Sequence, residues 1–459
     1  MRTRAGFQTV STSLGGNMQK FLDGVRLRPD DVSLALFLAA VLYGMVLQTL
    51  QPAGLWGEMM KLADSIAQHG TFSNPFSILP TGPTAANPPL YPLILALFMK
   101  TLRYSGLVYI AITVSAAVMN AFTAVLLLRL SQIFYGDILP GVVASLLWIP
   151  VMPDMPDWDT SYTVAGLLLF CIVASSLASA SIAKAALAGA IAGLLVLLNP
   201  SSLFVTLPWL AFLLWREGRL RPALVRAVTI TFLVLAGFTV GWGWRNYRQL
   251  GAFVIRTNLG MTLYASNNYC AQPSMISNEF TGCYQRHHPN TSLEEATALR
   301  NLGEVRYDRL RTAETLSWIN ANPGKFWWLT LARVWQFWFP ATEQLRPTGS
   351  EARREFVSIA WVQSWIAYRN FVARTVWLIT VLSIPGFALM LRRKEPSAAF
   401  IAAALAAYPV LYYVVVSDVR YRYPVLWLSL LPAGYFLVST VDRKRQSKHM
   451  VDRLNPQPA

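Results

Sequence analysis

Two kinds of side chain in this sequence could do chemistry on a substrate. One is a carboxylate where the chain first leaves an apolar run, and the other is a set of arginines beside later runs. The carboxylate, Glu58, opens the amphipathic stretch Glu58-Met-Met-Lys-Leu-Ala-Asp64-Ser-Ile-Ala-Gln-His69-Gly. An acid at the mouth of an apolar bundle costs several kcal/mol unless it is solvated or used, so Glu58 reads as a candidate general base. Asp64 falls about 240° further around the same helix and reads as a solvated or capping acid. Asp159, in Trp158-Asp159-Thr160, begins a later apolar run, where helix N-capping is its ordinary role and a place in a site the other reading.

Arg420 and Arg422 precede the last apolar run in Asp418-Val-Arg-Tyr-Arg-Tyr-Pro-Val, and Trp244-Arg245-Asn-Tyr-Arg248 ends an earlier one. A planar guanidinium fork suits phosphate, and two such sites at one depth could bracket one phosphate. The alternative is a pair of snorkelling anchors.

The elements that must hold these residues are membrane helices. Of 459 residues 54% are hydrophobic and only 14% charged, with a mean hydropathy of +0.40, where soluble proteins keep about 25% charged. Apolar runs at 32–51, 106–130, 138–153, 160–180, 184–198, 202–216, 225–244, 371–391, 397–416 and 423–440 read as about ten transmembrane helices. The net charge of +16 comes from 39 basic residues clustered between these runs. That is the pattern of cytoplasmic loops, with no basic stripe for a nucleic-acid partner. The first 31 residues are polar and basic (Arg2, Arg4, Lys20, Arg26, Arg28), and no cleavable signal peptide is expected.

With the N-terminus inside, ten spans put every dense basic cluster in the cytoplasm, the one around Arg443 and Lys448 included. Segments 89–103 and 326–340 are then juxtamembrane helices, the second rich in tryptophan as an interfacial helix is. The first outer loop is 52–105, and an extracytoplasmic cap covers 245–370, with a helix through 292–320 ended by Asn322-Pro-Gly. Residues 1–440 form a single transmembrane domain and 441–459 a cytoplasmic basic tail. This topology gathers Glu58, Asp64, Asp154, Asp157, Asp159, Arg245, Arg256, Arg333, Arg420 and Arg422 on the outer face. Orientation asks for no arginine there, so these are candidates for anion binding.

Cys171 sits in an apolar run as a packing residue. Cys270 and Cys283 share an outer loop, as a disulfide or as two free thiols. No histidine has metal-ligand spacing, although His287-His288 near Cys283 could bind a metal weakly. There is no Walker loop, no GxGxxG fingerprint and no defensible Ser-His-Asp set. Asn290-Thr-Ser has the form of a glycosylation sequon.

The order of these features resembles the GT-C superfamily of polyprenyl-phosphate-sugar-dependent glycosyltransferases. The nearest relatives would be the bacterial relatives of protein mannosyltransferases and of lipid A aminoarabinose transferase. The resemblance rests on the first-loop acid, Pro88-Pro-Leu-Tyr91-Pro, Trp158-Asp159-Thr160, Asn199-Pro200-Ser201 and Trp244-Arg245-Asn246-Tyr247 leading into Phe253-Val-Ile-Arg-Thr-Asn258-Leu-Gly260. Ile319-Asn-Ala-Asn-Pro323 and Arg420-Tyr-Arg422-Tyr-Pro424 complete it, so it runs from about 30 to 440. The family usually has Asp or Asp-Glu at the first-loop acid; here the position reads Gly57-Glu58.

The resemblance implies an all-α, GT-C-like bundle in which Glu58 is the base and Asp159 supports the acceptor or a metal. Arg245, Arg420 and Arg422 would hold the lipid phosphate, with Tyr91, Asn258 and Arg333 completing the donor-binding set. The implied activity is hexosyl or pentosyl transfer, with inversion, from a polyprenyl-phosphate sugar to a hydroxyl on a lipid, glycan or protein. It would take place on the outer face of a bacterial inner membrane, with both termini cytoplasmic. No metal ligand is assigned, and a divalent cation stays open as a cofactor. The rival class is a transporter or flippase of lipid-linked saccharides. Against it, transporters place ionisable groups near the midplane on broken helices, whereas the polar groups here lie outside clean spans.

Overall fold

A computed structural model describes residues 29–49, 57–216, 221–342 and 360–454. The N-terminal basic residues Arg2, Arg4, Lys20, Arg26 and Arg28, the first part of the outer loop (51–56) and cap residues 343–359 lie outside the described residues. Within them all regular structure is helical. The bundle contains α1 (Pro29–Thr49), α4 (Leu107–Tyr135), α5 (Leu139–Trp148), α6 (Thr160–Ala174), α7 (Ile182–Leu198), α8 (Leu203–Arg216), α9 (Pro222–Leu250), α16 (Ala360–Arg392), α17 (Ser397–Ala407) with α18 (Val410–Tyr413), and α19 (Tyr423–Leu454). Between α1 and α4 stand α2 (Glu58–His69) and α3 (Leu90–Thr101). Between α9 and α16 stand α10 (Leu259–Ser266), α11 (Met275–Phe280), α12 (Cys283–His287), α13 (Leu293–Leu302), α14 (Glu304–Ala321) and α15 (Pro323–Trp338).

A helix lies within each expected apolar run, but the helices differ in reach. Five are long and apolar enough to cross a membrane: Pro29–Leu47, Leu107–Tyr135, Pro222–Leu250, Val362–Arg392 and Tyr423–Val441. The chain is therefore a helical, multi-pass membrane protein. The remaining apolar helices are shorter for local reasons. Pro150 follows the end of α5, and Pro409 separates α17 from α18.

Small residues let the helices approach closely. A Cβ on Gly189 would meet the Thr231 carbonyl oxygen at 2.6 Å, and one on Gly193 would meet the Phe238 ring at 2.6 Å, which locks α7 against α9. Gly386 lies against the Pro432 carbonyl and Gly434 against that of Pro140, tying α19 to α16 and α5. In lipid, where hydrophobicity does not drive helices together, such close packing does much of the holding. The core around them is filled by Trp148, Phe170, Trp209, Phe400 and Trp427, all fully buried.

The segments between the long helices cover one end of the bundle. α2 packs on α3 through Met59, Ala63, Tyr91 and Leu95. α10 packs on α14, where Gly260 faces the Asp308 carbonyl and the Asp308 carboxylate accepts from the Gly260 N–H at 2.7 Å. The expected helix through 292–320 is two helices broken at Gly303, whose φ of +75° favours glycine. α15 buries Leu329, Arg333 and Phe337 and exposes Trp327, Trp328, Leu331 and Trp335, a two-faced helix suited to an interface.

Candidate active site

The covered end encloses a cavity of about 990 Å³. It is lined from the start of α2 (Gly57, Glu58), the loop and start of α6 (Trp158, Asp159), the end of α7 (Leu198, Asn199), the stretch before α10 (Arg256, Asn258) and the α11–α12 region (Glu279, His288). The end of α18 and the start of α19 close it with Arg420 and Tyr421. Helices from opposite directions thus present their ends to one space.

Glu58 is the first residue of α2, where the helix dipole favours a negative charge. Its Oε2 accepts from the Asn87 side-chain amide at 3.0 Å, and its Oε1 lies 3.5 Å from His288 Nε2. Behind it the Asp157 carboxylate accepts from the Gly57 N–H, and a Cβ at Gly57 would meet Asp157 Oδ2 at 2.9 Å. Burial raises the Asp157 carboxyl to about 6, against the pull of Arg420. The His288 imidazole is pushed below its ordinary value by burial, a shift that Arg420 reinforces and Glu58 opposes.

Asp159 occupies the N-cap position of α6 but makes no side-chain cap bond. Its Oδ2 accepts instead from the Thr163 hydroxyl at 2.8 Å and from the Asn199 amide at 3.3 Å. Burial raises its carboxyl above the ordinary range, while Thr163, Arg256 and Asn199 favour the anion. Asn199 in turn accepts from Ser201, whose hydroxyl meets the Tyr412 hydroxyl at 3.1 Å. The Asn199-Pro200-Ser201 motif therefore carries a row of hydroxyls from Asp159 along the cavity wall.

Two guanidiniums on this cavity have no carboxylate within ion-pair distance among the described residues. The Cζ of Arg420 lies 4.2 Å from the centre of the Trp158 ring and 5.2 Å from that of Tyr421. Its Nη2 is 3.4 Å from the Tyr421 hydroxyl, and its Nε is buried with no hydrogen-bond partner. Arg256 gives its Nε to the Ala86 carbonyl at 2.8 Å. Glu279 faces the same space and is raised to about 7, first by burial and then by Asp418, with Arg420 and Arg369 opposing.

Of the sequence-derived candidates, the structure brings Glu58, Asp159, Asn258 and Arg420 to one cavity. It does not bring Arg245, Arg333 or Arg422 there. Arg245 donates to the carbonyls of Thr84 at 2.7 Å and Phe72 at 3.0 Å and stacks between Phe72 and Trp242. Arg333, fully buried, donates to Asn267 and to the carbonyls of Ser266 and Val414. Arg422 donates to the carbonyls of Phe337 and Trp338 and to the Ser429 hydroxyl. Tyr91 is buried and donates to the Pro156 carbonyl, fixing the loop that carries Trp158 and Asp159. Asp64 accepts from Gln68 at 2.6 Å, one turn along the same helix.

Cys270 and Cys283 are joined in a disulfide. They form a compact group with His287, but sulfurs bonded to each other are not thiolate ligands, so the group does not fit a metal. Asn290, the sequon asparagine, accepts from the Ser77 N–H at 3.0 Å. The sequence reading counts Arg256 only among the outer-face arginines that could bind an anion, leaves Glu279 out, and weighs His288 only as a weak metal ligand. The early signals for Arg256 are its place on the outer face and in the Phe253–Asn258 stretch.

No family model and no curated protein matches the chain by sequence. Solved structures do match in three dimensions. The archaeal oligosaccharyltransferase AglB from Archaeoglobus fulgidus, in complex with an inhibitory peptide and a dolichol-phosphate, is similar with a TM-score of 0.52 at 13% identity, over 93% of this chain and 52% of that one. The Archaeoglobus fulgidus oligosaccharyltransferase in complex with Zn and sulfate gives 0.50 at 14% identity, over 89% and 49%. The same enzyme tethered to an acceptor peptide with the NVT sequon through a disulfide bond gives 0.53 at 14%, over 93% and 51%. This chain thus spans about half the length of the structures it matches. The likeness shows the fold, a helical membrane bundle like the part of those structures that it overlays.

Proposed function

We propose that this protein is a membrane glycosyltransferase that moves a sugar from a polyprenyl-phosphate donor to an acceptor hydroxyl, with inversion at the anomeric carbon. The observation that carries the reading is that Glu58 and Arg420 line one cavity. Glu58 takes the proton of the acceptor O–H as its oxygen attacks the anomeric carbon and the bond to phosphate oxygen breaks. The leaving phosphate is already a stable anion, so it needs positive charge and no general acid. Arg420, stacked on Trp158 with an unused Nε–H, supplies that charge, and Arg256 supports it from the other wall. Base assistance is typically worth about 10²–10⁴-fold. Asp159 and the Asn199–Ser201 hydroxyl row orient the acceptor or the sugar.

The finer assignments belong to the same reading. Ten spans, with 89–103 and 326–340 as juxtamembrane helices, place both termini in the cytoplasm and this cavity outside a bacterial inner membrane. Residues 1–440 then act as one GT-C domain, of the protein-mannosyltransferase or aminoarabinose-transferase kind, with 52–105 and 245–370 over the cavity and 441–459 as a cytoplasmic tail. The helix ends that this topology puts outside are those that line the cavity, which supports it. The dolichol-phosphate in the AglB complex supports a lipid-phosphate carrier, and a hydroxyl on a lipid, glycan or protein is the acceptor. Tyr91 acts through the loop it holds, and Asn258 faces the donor. Arg245, Arg333 and Arg422 shape the pocket from behind. The groups already set against Glu58 and Asp159 (Asn87, His288, Thr163 and Asn199) suit carboxylates working without a metal.

The test uses purified protein in nanodiscs with a panel of radiolabelled polyprenyl-phosphate hexoses and pentoses and a membrane extract as acceptor source. Sugar transfer supports the reading. Flipping of the same lipids in vesicles, with no transfer from any of them, would establish a transporter instead.

A further inference from the structure

His288 stands 6% exposed, directly after α12 (Cys283–His287), the helix that the Cys270–Cys283 bond tethers. Its ring stacks on Tyr284, with centres 4.6 Å apart, and meets the edge of Phe76. The Asn290 backbone N–H donates to its Nδ1 at 3.1 Å. An imidazole nitrogen that accepts carries no proton, so in the neutral ring the proton sits on Nε2, the nitrogen that faces Glu58 Oε1 at 3.5 Å. That separation is long for a hydrogen bond, as is common at sites that tighten when substrate binds.

We propose that His288 is a positioning residue for Glu58: a neutral imidazole, fixed in the Nε2–H tautomer, that donates to Oε1 while Asn87 donates to Oε2. The inference rests on Glu58 being the base and adds how that base is aimed. With one donor on each oxygen, the carboxylate is held against rotation and keeps its free lone pairs for the acceptor proton. His288 does not relay that proton. Its Nε2 already carries one, and its Nδ1 is occupied by Asn290. The proton taken from the acceptor stays on the Glu58 carboxyl and passes to water after the product leaves.

Two surroundings keep the imidazole neutral and fixed. Burial against Phe76 and Tyr284 disfavours the charged ring, and the Arg420 charge adds to this. The Cys270–Cys283 bond and the 288–292 turn, closed by bonds from the Thr291 and Ser292 N–H groups to the His288 carbonyl, hold its backbone.

The direct test is nitrogen NMR on full-length protein labelled with 15N-histidine in nanodiscs. With only four histidines in the chain, single substitutions assign the signals. The expected result at neutral pH is a ring protonated on Nε2 and bare on Nδ1, with a shift that moves in Glu58→Gln. An Nδ1-protonated ring or an imidazolium would overturn the proposal. Transfer assays with the radiolabelled donor panel give the second arm. His288→Ala should lower kcat by roughly 10- to 100-fold with little change in donor KM. His288→Gln, which keeps an N–H donor, or added imidazole should restore much of the loss. In a Glu58→Gln background His288→Ala should add nothing. A loss that neither glutamine nor imidazole restores, or one that adds fully to Glu58→Gln, would reduce His288 to a packing residue. If Glu58→Gln itself keeps full transfer, the base assignment fails, whichever tautomer the spectra show.

Discussion

The guanidinium of Arg420 lies 4.2 Å from the centre of the Trp158 ring, on the cavity that Glu58 also lines. The negative face of the ring attracts and positions the guanidinium, and the loop bearing Trp158 also bears Asp159, so one loop sets both the cation and the second acid. Asp418, the nearest acid in sequence, accepts from Arg420's backbone N–H at 2.9 Å and pairs its carboxylate with Arg369 at 3.4 Å. The head of Arg420 therefore has no carboxylate within ion-pair distance among the described residues, as the proposed phosphate role requires.

Arg420→Ala should raise the donor KM roughly 10- to 100-fold, the worth of one charge-assisted hydrogen-bonded contact. Arg420→Lys should recover little, because a point charge keeps neither the fork nor the stacking. Titration of transfer rate against donor concentration checks both.

Arg245, Arg333 and Arg422 should behave differently. Their nitrogens satisfy buried carbonyls, so Arg333→Met or Arg422→Met should destabilise the fold by about 3 kcal/mol. The folded fraction should keep its donor KM within a few-fold. Thermal unfolding read beside steady-state kinetics separates the two effects. A large rise in KM at unchanged Tm would return these arginines to the phosphate site.

The contrast between these arginines shows what the sequence could and could not carry. Glu58 and Asp159 were legible because an acid beside an apolar run is costly and so stands out. The apolar runs were legible for the same reason. Which guanidinium faces the cavity was not, since Arg422 and Arg420 differ in sequence by two positions and in space by a turn that points one at carbonyls and the other at the cavity. Arg256, Glu279 and His288 reach the site from segments far from Glu58 along the chain, and no local spacing announces that. The break at Gly303 was hidden because helical residues flank it on both sides.

Glu279 predicts a pH dependence. Its folded-state carboxyl is raised to about 7 from an ordinary 4.5. Between those values the folded protein binds a proton that the unfolded chain releases, so this group's contribution to stability falls as pH rises through the window. Above about 7 its anion also competes for Arg420, and donor KM should rise. Glu279→Gln should flatten both trends between about pH 5 and about pH 8. Unchanged slopes in the variant would remove Glu279 from the account.

The disulfide holds the segment that brings His288 to Glu58. Cys270→Ser with Cys283→Ser closes no loop and should cost about 3 kcal/mol of stability, the chain-entropy figure for a loop of this order. Turnover should fall with it, because the imidazole loses its fixed backbone. Differential scanning calorimetry and transfer assays with and without reductant test this on the wild-type protein.

If Glu58 activates the acceptor while Arg420 and Arg256 hold the donor, single-turnover transfer by Glu58→Gln at saturating radiolabelled donor, with donor binding measured on the same sample, separates the two roles. Binding should stay within a few-fold of wild type while the transfer rate falls by about 10²–10⁴-fold. Transfer at the wild-type rate with Glu58 replaced would contradict the assignment of Glu58 as the base.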